Sequence, residues 1–143
     1  MPRHSETRYL PYTPDQLFTL VADVGRYPEF LPWCKAARVL ETKPDGIVAD
    51  LVIGYKMFFE RFRSDVKLDR PRTISITYVS GPLSHLANEW RFEPQGKKGC
   101  NLSFDVDFDF KSPLLRAAIE LFFEKALTKM VSAFEERAAD LYG

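Results

Sequence analysis

The chain has 143 residues and a mass of 16.5 kDa, a size at which one domain buries a core without disulfides or metals. Its 20 basic and 20 acidic residues are interspersed, a pattern that does not resemble a general nucleic-acid-binding footprint, and we expect no DNA partner. The two cysteines, Cys34 and Cys100, lie too far apart for a metal motif and do not indicate a disulfide framework. We therefore treat residues 1–143 as a single domain.

The first third of the chain predicts one strand and two short helices. A strand covers about 5–12, and a helix begins near Thr13, which can cap it, with Pro14 at the first helical position. A second short helix or turn follows over 26–31, because Pro28 and Pro32 interrupt it. No apolar run is long enough to span a membrane.

From Trp33 onward the hydrophobic period changes to two, which predicts strands joined by short hairpins. The alternation is clearest over 99–110, where apolar residues share one face and polar residues the other. Such half-polar strands indicate a sheet that is covered on one side only. The predicted strands are 34–43, 46–56, 58–69, 72–80, 86–94 and 99–110.

The C-terminal segment predicts one long amphipathic helix. Ser112 and Pro113 can begin it, and no further Pro or Gly occurs before Gly143. The helix then has roughly 28 residues and a length of about 40 Å. Its apolar stripe consists of Leu115, Ile119, Phe122, Phe123, Ala126, Met130, Ala133 and Phe134.

This order of elements predicts an α+β fold, with the long helix across the concave face of a curved antiparallel sheet of about seven strands. The space between helix and sheet holds either core side chains or a guest molecule. Twelve Phe and an aromatic content of 14% favour an apolar ligand space. A Phe-rich core explains the same composition.

Two segments carry a resemblance to a known family. Residues 18–24 (FTLVADV) and 27–34 (YPEFLPWC) resemble the signature of the coenzyme Q-binding proteins of the START-like, polyketide-cyclase-like superfamily. That family includes mitochondrial coenzyme Q chaperones and bacterial relatives described as ribosome association toxins. Further similarity over 58–64, 86–92 and 104–134 extends it to essentially the whole chain.

The resemblance implies a helix-grip fold with an internal cavity that binds a polyprenyl quinone such as ubiquinone. The protein would then be a lipid chaperone or carrier that supports respiration or quinone biosynthesis, with ubiquinone as ligand and no cofactor. Compared with mitochondrial members the chain shows no presequence, which favours a bacterial or mature protein. We expect a cytoplasmic location, with peripheral contact to the inner membrane.

The expected ligand-binding residues lie on the inward strand faces, in the proline-flanked aromatic segment and on the helix stripe. Glu60 and Asn88 would hydrogen-bond the polar head of the ligand, or else bond only to other protein groups. Phe30 and Trp33 would form either a gate or a plug at the open end of the sheet. The full set is Phe30, Trp33, Leu51, Ile53, Phe58, Glu60, Phe62, Tyr78, Asn88, Trp90, Phe104, Phe108, Leu115, Ile119, Phe122 and Met130.

Two loops, 54–59 and 81–86, are apolar enough to dock on a bilayer or a partner protein, or they fold back onto the domain. A rival function is association with the ribosome, as in the toxin-like relatives. Arg61, Arg63 and Lys67 share one wet strand face, but Asp65 and Asp69 interrupt them.

A second rival is a polyketide cyclase-like enzyme. Glu60 is the one acid that we would assign to it, because no nucleophile motif or phosphate loop is present. The alternating Asp105, Asp107 and Asp109 are expected to be solvated, and no metal is assigned to them. We expect a protein that is not an enzyme.

Overall fold

The computed structural model describes residues 3–31, 33–55, 58–120 and 123–143. Within these ranges the elements follow the predicted change of period, from one strand and two short helices to six strands and a helical C-terminus. The strands are β1 (Arg3–Leu10), β2 (Cys34–Lys43), β3 (Gly46–Tyr55), β4 (Phe58–Asp69), β5 (Thr73–Ser80), β6 (Leu83–Gln95) and β7 (Gly99–Phe110). The helices are α1 (Pro14–Ala22), a 3₁₀ helix (Val24–Glu29), α2 (Pro113–Glu120) and α3 (Phe123–Tyr142).

All seven strands form one antiparallel sheet in the order β1-β7-β6-β5-β4-β3-β2. Register shifts occur twice between β2 and β3 and once each in the β4–β5 and β6–β7 pairs. Bulges of this kind bend a strand and increase its twist, so they help the sheet to curve around the helices. The predicted α+β architecture with a curved antiparallel sheet is confirmed.

Helix α1 begins where its capping residues predict. The Thr13 hydroxyl accepts a hydrogen bond from the Gln16 backbone N–H (3.1 Å), and the Gln16 side chain accepts one from the Thr13 N–H (3.0 Å). This capping box satisfies two backbone donors that the helix itself cannot. Pro14 occupies the first turn, where its missing N–H costs nothing.

The core lies between the concave face of the sheet and one side of α1 and α3. From α1 it receives Leu17, Phe18 and Val21, each 1% exposed. The sheet and α3 contribute other fully buried residues, among them Ala49, Val66, Ile74, Trp90, Phe92, Cys100, Leu102, Phe104, Val131, Phe134 and Ala138.

Two strands differ from the predictions by two or more residues at an end. Strand β1 begins at Arg3 and ends at Leu10, and β6 begins at Leu83 instead of 86. Leu83 is buried, and its N–H donates to the Tyr78 hydroxyl (3.0 Å), so the chain is already held to β5 at that point. The predicted long helix covers 113–120 and 123–142, whereas Phe122 and the junction lie outside the described residues.

Candidate functional site

One end of the concave face is sealed by aromatic packing; we call it the packed end. The Phe134 ring of α3 lies 4.9 Å from Trp90, 5.1 Å from Phe30 and 5.4 Å from Tyr27, between ring centroids. Trp90 and Phe104 are each 2% exposed. These two predicted ligand contacts are therefore surrounded by protein side chains.

The other end of the same face is apolar but only half-buried, and we call it the open end. It lies toward the β3–β4 hairpin and the β5–β6 turn. Leu51 pairs with Phe62 across β3 and β4, and Leu86 pairs with Phe108 across β6 and β7. The half-buried apolar residues here are Leu51, Ile53, Phe62, Ile76, Tyr78, Leu86 and Phe108.

Helices α2 and α3 meet the open end through a few specific contacts. The Phe123 ring lies 5.3 Å from Phe108. Arg116 Nε donates to Asp109 Oδ1 (2.6 Å), which ties α2 to β7. Leu127 and Met130 of α3 are partly buried above the sheet.

Asp109 was expected on the wet face of β7, but it is buried, with 6% exposure. Burial by itself raises the pKa of the Asp109 carboxyl. Hydrogen bonds from the Phe110 backbone N–H (2.9 Å) and from Arg116 outweigh that effect, so the pKa lies below its ordinary value. The carboxylate is thus part of the attachment of α2.

The two polar groups expected inside the cavity occupy different surroundings. Asn88 is half-buried, and its Nδ2 donates to the backbone carbonyl of Asp105 (2.7 Å), which is one of the internal bonds considered above. Glu60 pairs with Ile53 and shares the inward phase of β4, yet it is exposed. The expectation of a buried Glu60 carboxylate is therefore wrong, because the strand extends past the covered part of the sheet.

Tyr78, which the sequence analysis includes among the ligand-binding residues without a specific role, is a polar group at the open end. Its hydroxyl oxygen accepts a hydrogen bond from Leu83 N–H, as noted above. The hydroxyl hydrogen is left to donate, and no described residue accepts it. A half-buried phenol with a spare donor is suited to an acceptor-only ligand group.

The aromatic segment before β2 is divided between the two ends. Phe30 packs on Phe134 and lies under the Arg137 guanidinium, 5.2 Å from the ring centroid. It also lines a surface cleft of about 140 Å³ between α1, the 3₁₀ helix and the end of α3. Trp33 is half-buried, and its carbonyl accepts from Gly54 N–H (2.8 Å). The side chains of Phe58, Leu115 and Ile119, like Phe122 as a whole, lie outside the described residues.

Sequence reasoning missed a polar network between β1 and α3. His4 Nε2 lies 2.8 Å from Glu6 Oε1, and Arg8 Nε donates to Glu6 Oε2 (2.7 Å). Arg8 also donates to the Ser132 hydroxyl (3.1 Å) and the Thr128 carbonyl (3.4 Å) of α3. The sequence does indicate this network, because residues 4, 6 and 8 are polar and alternate along an edge strand. In β1 these three side chains lie on the face toward the helix.

The described residues offer little for catalysis. Burial raises the pKa of the Cys34 and Cys100 thiols to about 11, so both remain protonated and weakly nucleophilic at neutral pH. In the described ranges no group of three or more His, Cys, Asp or Glu side chains could hold a metal ion. None of the helices in those ranges combines the length and apolar composition that a membrane crossing requires.

Comparison with known proteins agrees with the fold. The family model for "Polyketide cyclase / dehydrase and lipid transport" matches residues 10–135. The ribosome association toxin RatA of Pseudomonas aeruginosa is 40% identical, covering 94% of this chain and 93% of its own. The mitochondrial coenzyme Q-binding protein COQ10 homolog B of Xenopus laevis is 35% identical, covering 98% of this chain and 59% of its own.

Solved structures give the same picture. An 18 kDa protein of Caulobacter crescentus, 38% identical, superposes with a TM-score of 0.80 and covers 100% of this chain and 99% of its own. The Zhui aromatase/cyclase of Streptomyces has a TM-score of 0.85 at 19% identity, with 96% and 93% coverage, which shows a common fold alone.

Proposed function

Because the chain belongs to the polyketide cyclase / dehydrase and lipid transport family, we propose that it carries a hydrophobic ligand, a polyprenyl quinone, at the open end of the concave face. The observation that carries this proposal is the change along that face from sealed to half-buried apolar side chains. Half-buried apolar side chains on a concave face are suited to an apolar ligand. The name of the coenzyme Q-binding relative supports the choice of quinone.

The tail supplies most of the affinity. Each buried methylene is worth about 0.8 kcal/mol, so a few isoprene units against Leu51, Phe62 and Phe108 hold the ligand without strong polar contacts. The head needs donors, since quinone carbonyls only accept. Tyr78 can donate its hydroxyl hydrogen, and Asn88 has a second N–H beside the one used by Asp105.

Quinone binding is tested directly with the short-chain ubiquinone-2 and the quenching of tryptophan fluorescence. Tyr78→Phe keeps the ring but removes the hydroxyl, which is both the proposed donor and the acceptor of Leu83 N–H. In protein whose urea midpoint shows that it is folded, we expect affinity to fall about two- to tenfold, the value of one hydrogen bond. Tyr9→Phe is the matched control, because Tyr9 is 61% exposed on β1. If the two variants change the affinity for ubiquinone-2 equally, Tyr78 does not bind the head of the ligand.

Ligand identity is tested by native mass spectrometry and solvent extraction of protein purified from its own host. The proposal expects a polyprenyl quinone at a stoichiometry near one. If folded wild-type protein shows neither fluorescence quenching nor a mass shift at a saturating concentration of ubiquinone-2, the quinone proposal is wrong.

A second candidate function is association with the ribosome. The name of the Pseudomonas relative supports it, and so does a cluster of arginines on the outer face of the sheet, where Arg38 and Arg63 flank Asp50 in register. Co-sedimentation with ribosomal subunits at about 0.15 M salt tests it, since a pure lipid carrier would stay in the supernatant.

A further inference from the structure

Formal charges cancel over the whole chain, but they are separated on the outer face of the sheet, the one that faces away from the helices. On β6 and β7 the outer residues Glu89, Glu93, Asp105 and Asp107 outnumber Arg91. Arg91 is itself paired to Glu89 and Asp105, at 2.7 Å each.

Strand β5 separates this acidic half from a basic one. Its outer positions, Thr73, Ser75, Thr77 and Val79, carry no charge. Beyond it, β4 and β2 present cations, which Asp65 and Asp69 of β4 interrupt toward the far end of the strand. In the three rows next to the β3–β4 hairpin the cations outnumber the acids.

The basic half has a regular arrangement that the strand register sets. Arg38 of β2, Asp50 of β3 and Arg63 of β4 form one row across the sheet. The next row is Ala36, Val52 and Arg61. In the third row Gly54 lies between the stem of Lys35 and the ring of Phe59. We call Lys35, Arg38, Phe59, Arg61 and Arg63 the basic platform.

Asp50 is the one acid within these three rows. It is held by Arg63, whose Nε and Nη2 donate to its two oxygens at 2.8 Å and 3.2 Å. The hydrogen bond from Arg63, together with the charges of Arg61 and Arg38, holds the pKa of Asp50 below its ordinary value. Neither Arg38 nor Arg61 forms an ion pair with any residue that the structure describes, so both remain available to a ligand.

Phe59 is 62% exposed and lies along the sheet surface. A Cβ on Gly54 would approach Phe59 Cε1 to 2.9 Å and Lys35 Cγ to 2.8 Å, so the missing side chain of Gly54 makes room for both. The ring is thus exposed on the outer face of the sheet, with the stem of Lys35 on the other side of Gly54.

We propose that the basic platform binds single-stranded RNA, with a base stacked on Phe59 and the phosphates held by Arg61, Arg38 and Lys35. Aromatic rings on a sheet surface flanked by cations bind single-stranded nucleic acid in this way, since every base has a π-face and every phosphate a charge. The inference deepens the second candidate function by assigning its surface, and it is independent of the ligand at the open end.

The first experiment measures fluorescence anisotropy of a labelled uridine dodecamer against intact protein at several salt concentrations. Wild-type protein should bind with affinity that falls as salt rises. Arg61→Gln should lower the salt slope by about 0.7, because one phosphate then has no cation beside it. Phe59→Leu keeps an apolar side chain but has no flat ring for stacking, and it should weaken binding about tenfold.

Lys98→Gln is the matched control, because Lys98 is exposed in the β6–β7 turn, outside the platform. It should bind RNA as the wild-type protein does. No binding by wild-type protein at about 0.15 M salt, or equal losses in all three variants, would overturn the proposal. Binding of wild-type protein to phosphatidylglycerol vesicles, without binding to the RNA dodecamer, would also overturn it.

Sedimentation with ribosomal subunits tests the proposed ribosome association separately from RNA binding by the basic platform. If wild-type protein and both platform variants sediment equally, the ribosome function stands and its assignment to the platform is wrong. If wild-type protein binds the dodecamer through the platform but does not sediment, the platform stands and the ribosome function falls.

Discussion

The packed and open ends of the concave face are built by the same strands and the same alternation, yet they differ in burial. On β5, Ile74 is fully buried and Ile76 is half-buried; on β7, Phe104 is 2% exposed and Phe108 is half-buried. The difference lies in what covers them. Aromatic and branched side chains of α1 and α3 fill the packed end, whereas the described residues meet the open end through the Arg116–Asp109 ion pair and the Phe123 ring on Phe108. Under the proposed function, stability and ligand binding would depend on separate parts of one apolar surface.

The largest expected effect is at the packed end. Phe134→Ala removes a ring in contact with Trp90, Tyr27 and Phe30 and leaves a cavity, so we expect a loss of about 3–5 kcal/mol in the free energy of unfolding. Urea denaturation measures it. A loss below about 1 kcal/mol would mean that this end is not the structural core.

A smaller effect is expected at the open end. Phe62 is half-buried and lies against the Gly81 turn, where a Cβ on Gly81 would approach Phe62 Cβ to 2.7 Å. Phe62→Ala should cost about 1–1.5 kcal/mol of stability, roughly half the transfer free energy of a fully buried Phe. In the same protein the affinity for ubiquinone-2 should fall at least tenfold.

Phe62→Leu is the control, since it keeps most of the apolar volume. It should retain both stability and most of the affinity. If Phe62→Ala instead destabilised the protein as much as Phe134→Ala, the distinction between the two ends would fail.

Most of the fold was predictable because its signals are local. The period-two alternation, the hairpin residues and the Thr13–Pro14 start determine element types without long-range information. Predictions failed where a side chain's surroundings depend on distant segments. Glu60 has an inward phase, but how far the helices extend over β4 is a tertiary property.

The site was less predictable for the same reason. The alternation identified the apolar lining and could not separate Trp90, which is sealed, from Phe108, which is half-buried. The charge separation on the outer face depends on strand order, because β2 and β4 flank β3 and thus surround Asp50. Arg38 and Arg63 are 25 positions apart in sequence and become neighbours of one carboxylate only in the folded sheet.

The smallest expected effect concerns the attachment of α2 at the open end and appears in acid. The pKa of Asp109 is lower in the folded protein than in the unfolded chain, where it is about 3.9. A depressed carboxyl pKa contributes stability above the unfolded pKa, and this contribution is lost as the pH falls through the folded value. Asp109→Asn should therefore be less stable than wild type at neutral pH.

The gap in the urea midpoint between Asp109→Asn and wild type should close as the pH is lowered below about 4. Asp107→Asn is the matched control. Asp107 lies two positions before Asp109 on β7, but its side chain is 40% exposed and lies beside His85 instead of α2. A gap that stayed constant with pH would mean that the charge of Asp109 does not hold α2. Attachment of α2 would then depend on apolar contacts alone, and Arg116→Gln should leave the affinity for ubiquinone-2 unchanged.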